Sequence, residues 1–192
     1  MSFRDCIVTE RLILRRFDEG DEEDVLALMS DDYICKWIGF RPFTSLDQTR
    51  EFMDNWRFLA YAITERESDT VIGIIQIPRT GWDRAEIGYL LSAEYCGLGY
   101  MTETVQAVKA YLFDEYWWCD EIGIHVYSGN DASCNVALKC GFYPQYEDYR
   151  ECIYSPYGRA ESEEFFLITR GDYEWERRGK TFYSTASVAS AA

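Results

Sequence analysis

The chain has 192 residues, 47% of them hydrophobic and 17% aromatic, and its 19 Lys and Arg against 34 Asp and Glu leave a formal charge of −15. A single domain this long and this rich in large rings can bury a core without disulfide or metal staples, which excludes disorder as the dominant state. The negative field repels phosphate backbones and anionic lipid, so nucleic acid and membranes are not expected as direct partners, whereas cationic amines are favoured.

Val8 to Phe17 alternates in part and reads as a first strand. Asp21 is the expected N-cap of a helix to Met29, with Glu22, Glu23 and Asp24 at its positive end. Ile34 to Pro42 is apolar and aromatic, and serves equally as core filler or pocket wall. Ser45-Leu-Asp-Gln48 reads as a capping box opening a helix to about Arg57. Three strand-like runs follow, Phe58–Thr64, Thr70–Pro78 and Ala85–Ser92, joined by short polar turns as in a meander. After the loop Tyr95–Gly99, residues Met101, Val105, Val108 and Leu112 mark an amphipathic helix. Glu121–Tyr127 is a strand parallel to Ala85–Ser92, because a helix crosses between them. Asn130 caps a helix to about Lys139 that ends at Gly141, and Phe142–Arg150 and Glu163–Thr169 are the last strands. The order predicts an α/β (α+β) domain with one central mixed sheet, and the Ser- and Ala-rich end, Ser184–Ala192, is expected to fray.

No apolar run approaches the roughly 20 residues of a membrane span, and the first residues do not read as a signal peptide. The 7 cysteines are odd in number and none shows CxxC spacing, while His125 is the single histidine. Reduced thiols in the cytoplasm and no metal are the expectation.

Two segments carry candidate chemistry. Cys96-Gly-Leu-Gly-Tyr-Met101 lies between a strand and a helix. Its glycines let backbone N–H groups approach a ligand, and the helix start adds partial positive charge, as a phosphate cradle needs. A simple tight turn explains the pattern equally well. Neither GxGxxG nor GK[ST] is present, which disfavours a dinucleotide fold and a P-loop. In the second segment, Asn130 to Phe142, helix capping alone accounts for Asn130 and Gly141.

Taken in order, Glu86-Ile-Gly-Tyr-Leu-Leu91, Gly97-Leu-Gly-Tyr-Met-Thr-Glu103 and Asn130-Asp-Ala-Ser133 with Lys139-Cys-Gly-Phe142 resemble the GNAT superfamily of acyl-CoA-dependent N-acyltransferases. Thr9-Glu-Arg-Leu-Ile-Leu-Arg15 at the start and Phe165-Phe-Leu-Ile-Thr with Asp172-Tyr-Glu-Trp175 at the end resemble its RimJ/RimL-type branch. The resemblance covers residues 8–175, leaving 176–192 as a tail, and implies a single domain with a mostly antiparallel seven-stranded sheet and helices on both faces. A bulge in Ala85–Ser92 would splay that strand from Glu121–Tyr127 and admit acetyl-CoA. Backbone groups of Leu90, Leu91 and Ser92 would then pair with the pantetheine amides. The N–H groups of Gly97, Leu98, Gly99, Tyr100, Met101 and Thr102 would hold the pyrophosphate, and Asn130 would contact the pantetheine side. Cys96 and Met101 depart from the usual residues of the loop, since Cys96 brings no positive charge and Met101 either crowds the cradle or packs inward. Ala137 stands where the superfamily often has a tyrosine acid. Ser133 takes the part of the acid that protonates the departing thiolate.

The implied reaction is direct attack of a neutral primary amine, on a protein N-terminus or a small molecule, on the thioester. It requires a proton acceptor. Glu86 is the candidate base, and a solvated strand-start charge is its plainer reading. Leu91 N–H would polarise the carbonyl. Glu103 reads as structural or acceptor-side, and His125 as a hydrogen-bonded strand residue. Trp37, Phe40, Phe43, Tyr154 and Tyr157 are candidate acceptor contacts. The alternative reading is a non-catalytic acyl-CoA-binding or interaction module on the same fold. The protomer is expected to be a monomer or a homodimer.

Overall fold

The computed structural model describes residues 4–152 and 161–179. In chain order its elements are β1 (Cys6–Val8), β2 (Leu12–Arg15), α1 (Glu22–Met29), α2 (Asp32–Ile38), α3 (Leu46–Trp56), β3 (Ala60–Glu65), β4 (Val71–Gln76), β5 (Arg84–Glu86) and β6 (Gly88–Leu91). There follow α4 (Tyr100–Glu115), β7 (Glu121–Tyr127), α5 (Asp131–Lys139), β8 (Tyr143–Cys152), β9 (Glu161–Thr169) and α6 (Arg170–Arg177).

The strands form two half-sheets, in the orders β1-β2-β3-β4-β6 and β5-β7-β9-β8. All pairings are antiparallel except β5 with β7. That parallel pair follows from the α4 crossover, as expected. The strand expected over Ala85–Ser92 is broken at Ile87: its first part joins β7 and its second part joins β4. The strand expected over Val8–Phe17 is a tight hairpin instead, with Thr9 N donating to Leu12 O across the turn at 2.9 Å. Seven expected strands thus become nine among the described residues.

Helices cover both faces of the sheet. On one face α4, α5 and α6 bury Val105, Val108, Leu112 and Tyr173 against Tyr61, Ile63, Ile122 and Ile124. On the other, Val25, Met29 and Phe52 of α1 and α3 pack on Ala60, Ala62 and Ile74. Strands covered on both sides lose the alternating pattern, which is why Val71–Ile75 is apolar throughout.

Four local readings change. Asp21 stands at the N-cap position of α1 as expected but makes no side-chain cap bond, while Asp18 caps the turn before it, accepting from Glu19 N. Asp21 is 3% exposed and takes a two-pronged bond from Arg15, at 2.7 and 2.8 Å. Gln48 Oε1 accepts from Thr44 N at 2.7 Å, while Ser45 Oγ accepts from Gln48 N. The apolar stretch from Ile34 is helical only as far as Ile38, in α2, which Asp31 caps and Gly39 ends, so Phe40 to Pro42 lie beyond the helix. The boundary at 175/176 falls inside α6, opened by a Thr169–Asp172 capping box and closed over the core by Tyr173.

Loss of Asp21 leaves the partly buried Arg15 guanidinium without its carboxylate. Asp21→Ala is expected to lower unfolding free energy by about 2 kcal/mol or more, against about 1 kcal/mol for loss of a helix cap; chemical denaturation measures the difference.

Candidate active site

The site begins at the break in the sheet. Ile87 N donates to Gly123 O at 2.8 Å, and from Gly88 onward the strand pairs only with β4. β6 therefore leaves β7, and a cavity of about 710 Å³ opens in the wedge. Its walls come from β6, the 96–102 loop, the end of β7, α5 and the aromatic face of α2.

The free edge of β6 is set by register. Ser92 N donates to Ile72 O at 2.8 Å, and antiparallel ladders alternate. Leu90, opposite Ile74, shares its backbone groups with β4, whereas Tyr89 and Leu91 turn theirs away from it. Of the three residues expected to offer backbone pairing, only Leu91 keeps a free edge. Ser92 N–H is already engaged, and Ser92 does not line the cavity. Tyr89 joins Leu91 on that edge, which the sequence reading missed.

The 97–102 segment is built to leave its donors unused. Gly97 and Gly99 adopt φ of 79° and 81°, which residues with a side chain rarely adopt. Gly99 is the N-cap of α4 and has no side chain to bond the helix N–H groups. Cys96 N donates to Ala93 O and Glu103 N to Gly99 O, but between them no backbone N–H from Gly97 to Thr102 finds an acceptor among the described residues. The first turn of α4 adds its partial positive charge. Gly97, Gly99, Tyr100, Met101 and Thr102 line the cavity. Leu98 does not: its side chain is exposed and its carbonyl accepts from Arg11 Nη1 at 2.9 Å. Met101 packs inward, 6% exposed, within the core.

Positive charge missing at Cys96 is present near the loop all the same. Arg11, from the β1–β2 turn, lies 4.4 Å over the Tyr100 ring and donates to Glu103 Oε2 at 2.6 Å. Glu103 also accepts from Thr9 Oγ1 and Arg11 N. Burial pushes the Glu103 carboxyl up, but these bonds outweigh it and hold it below the usual range. Glu103 is thus tied to the hairpin.

At the start of α5, Asn130 Oδ1 accepts from Ser133 N at 3.2 Å, as a cap. Ser133 Oγ lies 2.7 Å from the hydroxyl of Tyr89, and both residues line the cavity. Burial raises the Tyr89 hydroxyl well above its ordinary value, so it stays protonated and able to donate. Ala137 is fully buried in the core.

Glu86 sits at the end of β5 and does not line the cavity. It approaches His125 Nε2 at 3.6 Å, and Glu163 approaches His125 Nδ1 at 3.4 Å, without hydrogen-bond alignment. His125 stacks on Phe165 with centroids 4.6 Å apart. The flanking carboxylates, Glu163 first and then Glu86, overcome burial and raise His125 to about 9. The resulting imidazolium is the main cause that holds Glu86 below the usual carboxylate range, against burial. His125 and Glu163 do line the cavity, so the histidine set aside on sequence grounds belongs to the site. A pairing of strand residues 86, 125 and 163 leaves no local sequence signal.

On the α2 side, Trp37 and Phe40 line the cavity with Tyr33 and Ile34, and Trp37 Nε1 is buried without a partner. Phe43 instead packs edge-on against Phe40 and Phe52. Tyr154 and Tyr157 lie outside the described residues. Among the described residues no group of three His, Cys, Asp or Glu is placed to hold a metal, and no helix is long and apolar enough to cross a membrane.

A sheet splayed between a parallel and an antiparallel pairing, with N–H groups at its mouth that no described residue takes, is the architecture implied by the resemblance to acyl-CoA-dependent acyltransferases. Residues 11–143 match the family model described as an acetyltransferase (GNAT) domain, and the chain belongs to that family. It is 29% identical over 143 residues to the uncharacterized N-acetyltransferase YoaA of Bacillus subtilis, covering 70% of this chain and 80% of YoaA. A GNAT-family acetyltransferase structure from Bacillus anthracis superposes with a TM-score of 0.78 at 27% identity, over 86% of this chain and 99% of that one. A spermidine N-acetyltransferase from Vibrio cholerae, solved with CoA and spermine, shares the fold at a TM-score of 0.72 and 19% identity, over 85% of this chain and 98% of that one. The protein is an N-acetyltransferase of the GNAT family.

Because His125 is the single histidine, its titration is resolved without assignment. Its imidazole resonances are expected to titrate near pH 9 rather than the ordinary 6.5, and Glu86→Gln moves that midpoint down. The sign for stability follows: the raised pKa stabilises the fold fully below about 6.5, and that contribution is lost as pH rises through about 9. The melting-temperature gap between the wild type and His125→Gln is therefore expected to shrink across that window.

Proposed function

We propose that this chain transfers the acetyl group of acetyl-CoA to a primary amine, on a protein N-terminus or a small molecule, as a RimJ/RimL-like member of its family. The observation that carries the reading is the unclaimed run of N–H groups from Gly97 to Thr102 at the mouth of the splayed sheet. Such a run suits a pyrophosphate, and the free edge at Tyr89 and Leu91 suits the amides of a pantetheine arm. Asn130 lies along the same wall. A protein of the same fold was solved with both CoA and a polyamine, spermine, which is in keeping with a CoA cosubstrate and an amine acceptor. The six cysteines whose side chains are described are free thiols, in keeping with a reducing cytoplasm.

In this reading the amine nitrogen attacks the thioester carbon, the C–S bond breaks, and the nitrogen loses a proton while sulfur gains one. Leu91 N–H polarises the carbonyl oxygen. Ser133 Oγ donates to the departing sulfur. The base role read for Glu86 passes to the group Glu86–His125–Glu163, in which the histidine stands 3.6 Å from Glu86 and 3.4 Å from Glu163. Glu163 faces the cavity and receives the amine, and Glu86 acts through His125 rather than by touching the acceptor. Trp37 and Phe40 form the apolar wall beside it.

Calorimetry with acetyl-CoA tests the cosubstrate. Saturable one-to-one binding at micromolar strength, about −8 kcal/mol, is expected, and Gly99→Glu abolishes it by placing a charged side chain at a positive φ. Unchanged affinity in that variant would remove the cradle. For the chemistry, Ser133→Ala is expected to lower kcat by about 10²-fold or more with acetyl-CoA binding retained; an unaltered kcat would dismiss Ser133 as the acid.

A further inference from the structure

We infer that Arg11 and Glu103 form a clamp that holds the 97–102 loop in its anion-binding shape, with Arg11 acting as a positioning residue. The inference rests on the acyl-CoA reading of the site.

Arg11 does not line the cavity; it lies behind the loop. Its Nη1 bonds Leu98 O at 2.9 Å, and its Nη2 stands 3.5 Å from where a Cβ on Gly99 would be. In a planar trans peptide, C=O and the following N–H point in opposite directions. Drawing Leu98 O back toward Arg11 therefore turns Gly99 N–H forward, away from the guanidinium. Gly99 lines the cavity and Leu98 does not, as that geometry requires.

The guanidinium is itself fixed on three sides. Glu103 Oε2 takes its Nε at 2.6 Å, the Tyr100 ring lies beneath it, and Leu98 O takes Nη1. Glu103 Oε1 binds Thr9 Oγ1 at 2.6 Å and Arg11 N at 2.8 Å, so the whole hairpin turn is tied to the first turn of α4. A carboxylate beside a pyrophosphate site is unfavourable by Coulomb's law alone. Here it orients the arginine that sets the loop.

The two effects predict opposite signs. Removing the Glu103 charge should tighten CoA binding if simple repulsion governs, and weaken it if the clamp governs. The test measures affinities for CoA and for pantetheine, which lacks the pyrophosphate, by calorimetry on the wild type, Glu103→Gln and Arg11→Lys, with thermal unfolding as the check on folding. The wild type is expected to prefer CoA. Both variants are expected to cut the ratio of CoA to pantetheine affinity by about tenfold, the scale of one hydrogen bond to a charged group. Lysine keeps the charge but cannot reach Leu98 O and Glu103 together. If Arg11→Lys does not fold, the isosteric Glu103→Gln carries the test alone. A preserved or increased ratio in Glu103→Gln, with wild-type preference for CoA intact, overturns the clamp alone. Equal wild-type affinity for the two ligands overturns the acyl-CoA reading and the clamp together.

Discussion

The site depends on the bond from Ile87 N to Gly123 O. It is where the β5–β6 strand last holds β7. One residue later the same strand belongs wholly to β4. A sheet twists as it grows, and a strand shared by two half-sheets must at some point choose between them. Where it chooses, backbone groups of Tyr89 and Leu91 lose a strand partner. Unpaired edge groups are costly when buried and useful when a ligand's amides replace the missing strand. The cavity is therefore a consequence of topology.

Chemistry gathers around that wedge from distant parts of the chain. α4 brings a bare N-terminus with unpaired N–H groups. α5 brings Ser133 to Tyr89, tying β6 to that helix by side chains where its backbone has left β7. β5, β7 and β9 bring Glu86, His125 and Glu163 side by side. That group holds one cation between two anions, a mutual arrangement that raises the imidazole and lowers Glu86. The net charge of −15 therefore says little about the cavity, where the charged described side chains are Glu163, His125 and Lys139.

Much of the fold was legible because its signals are local. β7 runs over the stretch its alternation marks, and Asn130 caps α5 as its residue type and position suggest. The Gly97 and Gly99 turn is a matter of φ and steric freedom within a few residues. Asp21 keeps the N-cap position that its local acidic run suggests, but its carboxylate is taken by Arg15 on a strand six residues back, a partner that the local pattern does not show. α2 hid within an apolar run whose helical period is short.

By itself the sequence determined most element types, though not α2, α6 or the β1–β2 hairpin, and the ordered glycine and asparagine motifs, and through them the family. Those properties are written in periodicity, capping and backbone freedom, which act over one or two turns of chain. Tertiary structure alone decided which backbone groups stay free on β6, that His125 stands between two carboxylates, and that Arg11 backs the loop it is 87 residues away from. These depend on register and on contacts across the sheet, where a shift of one residue turns every side chain to the opposite face.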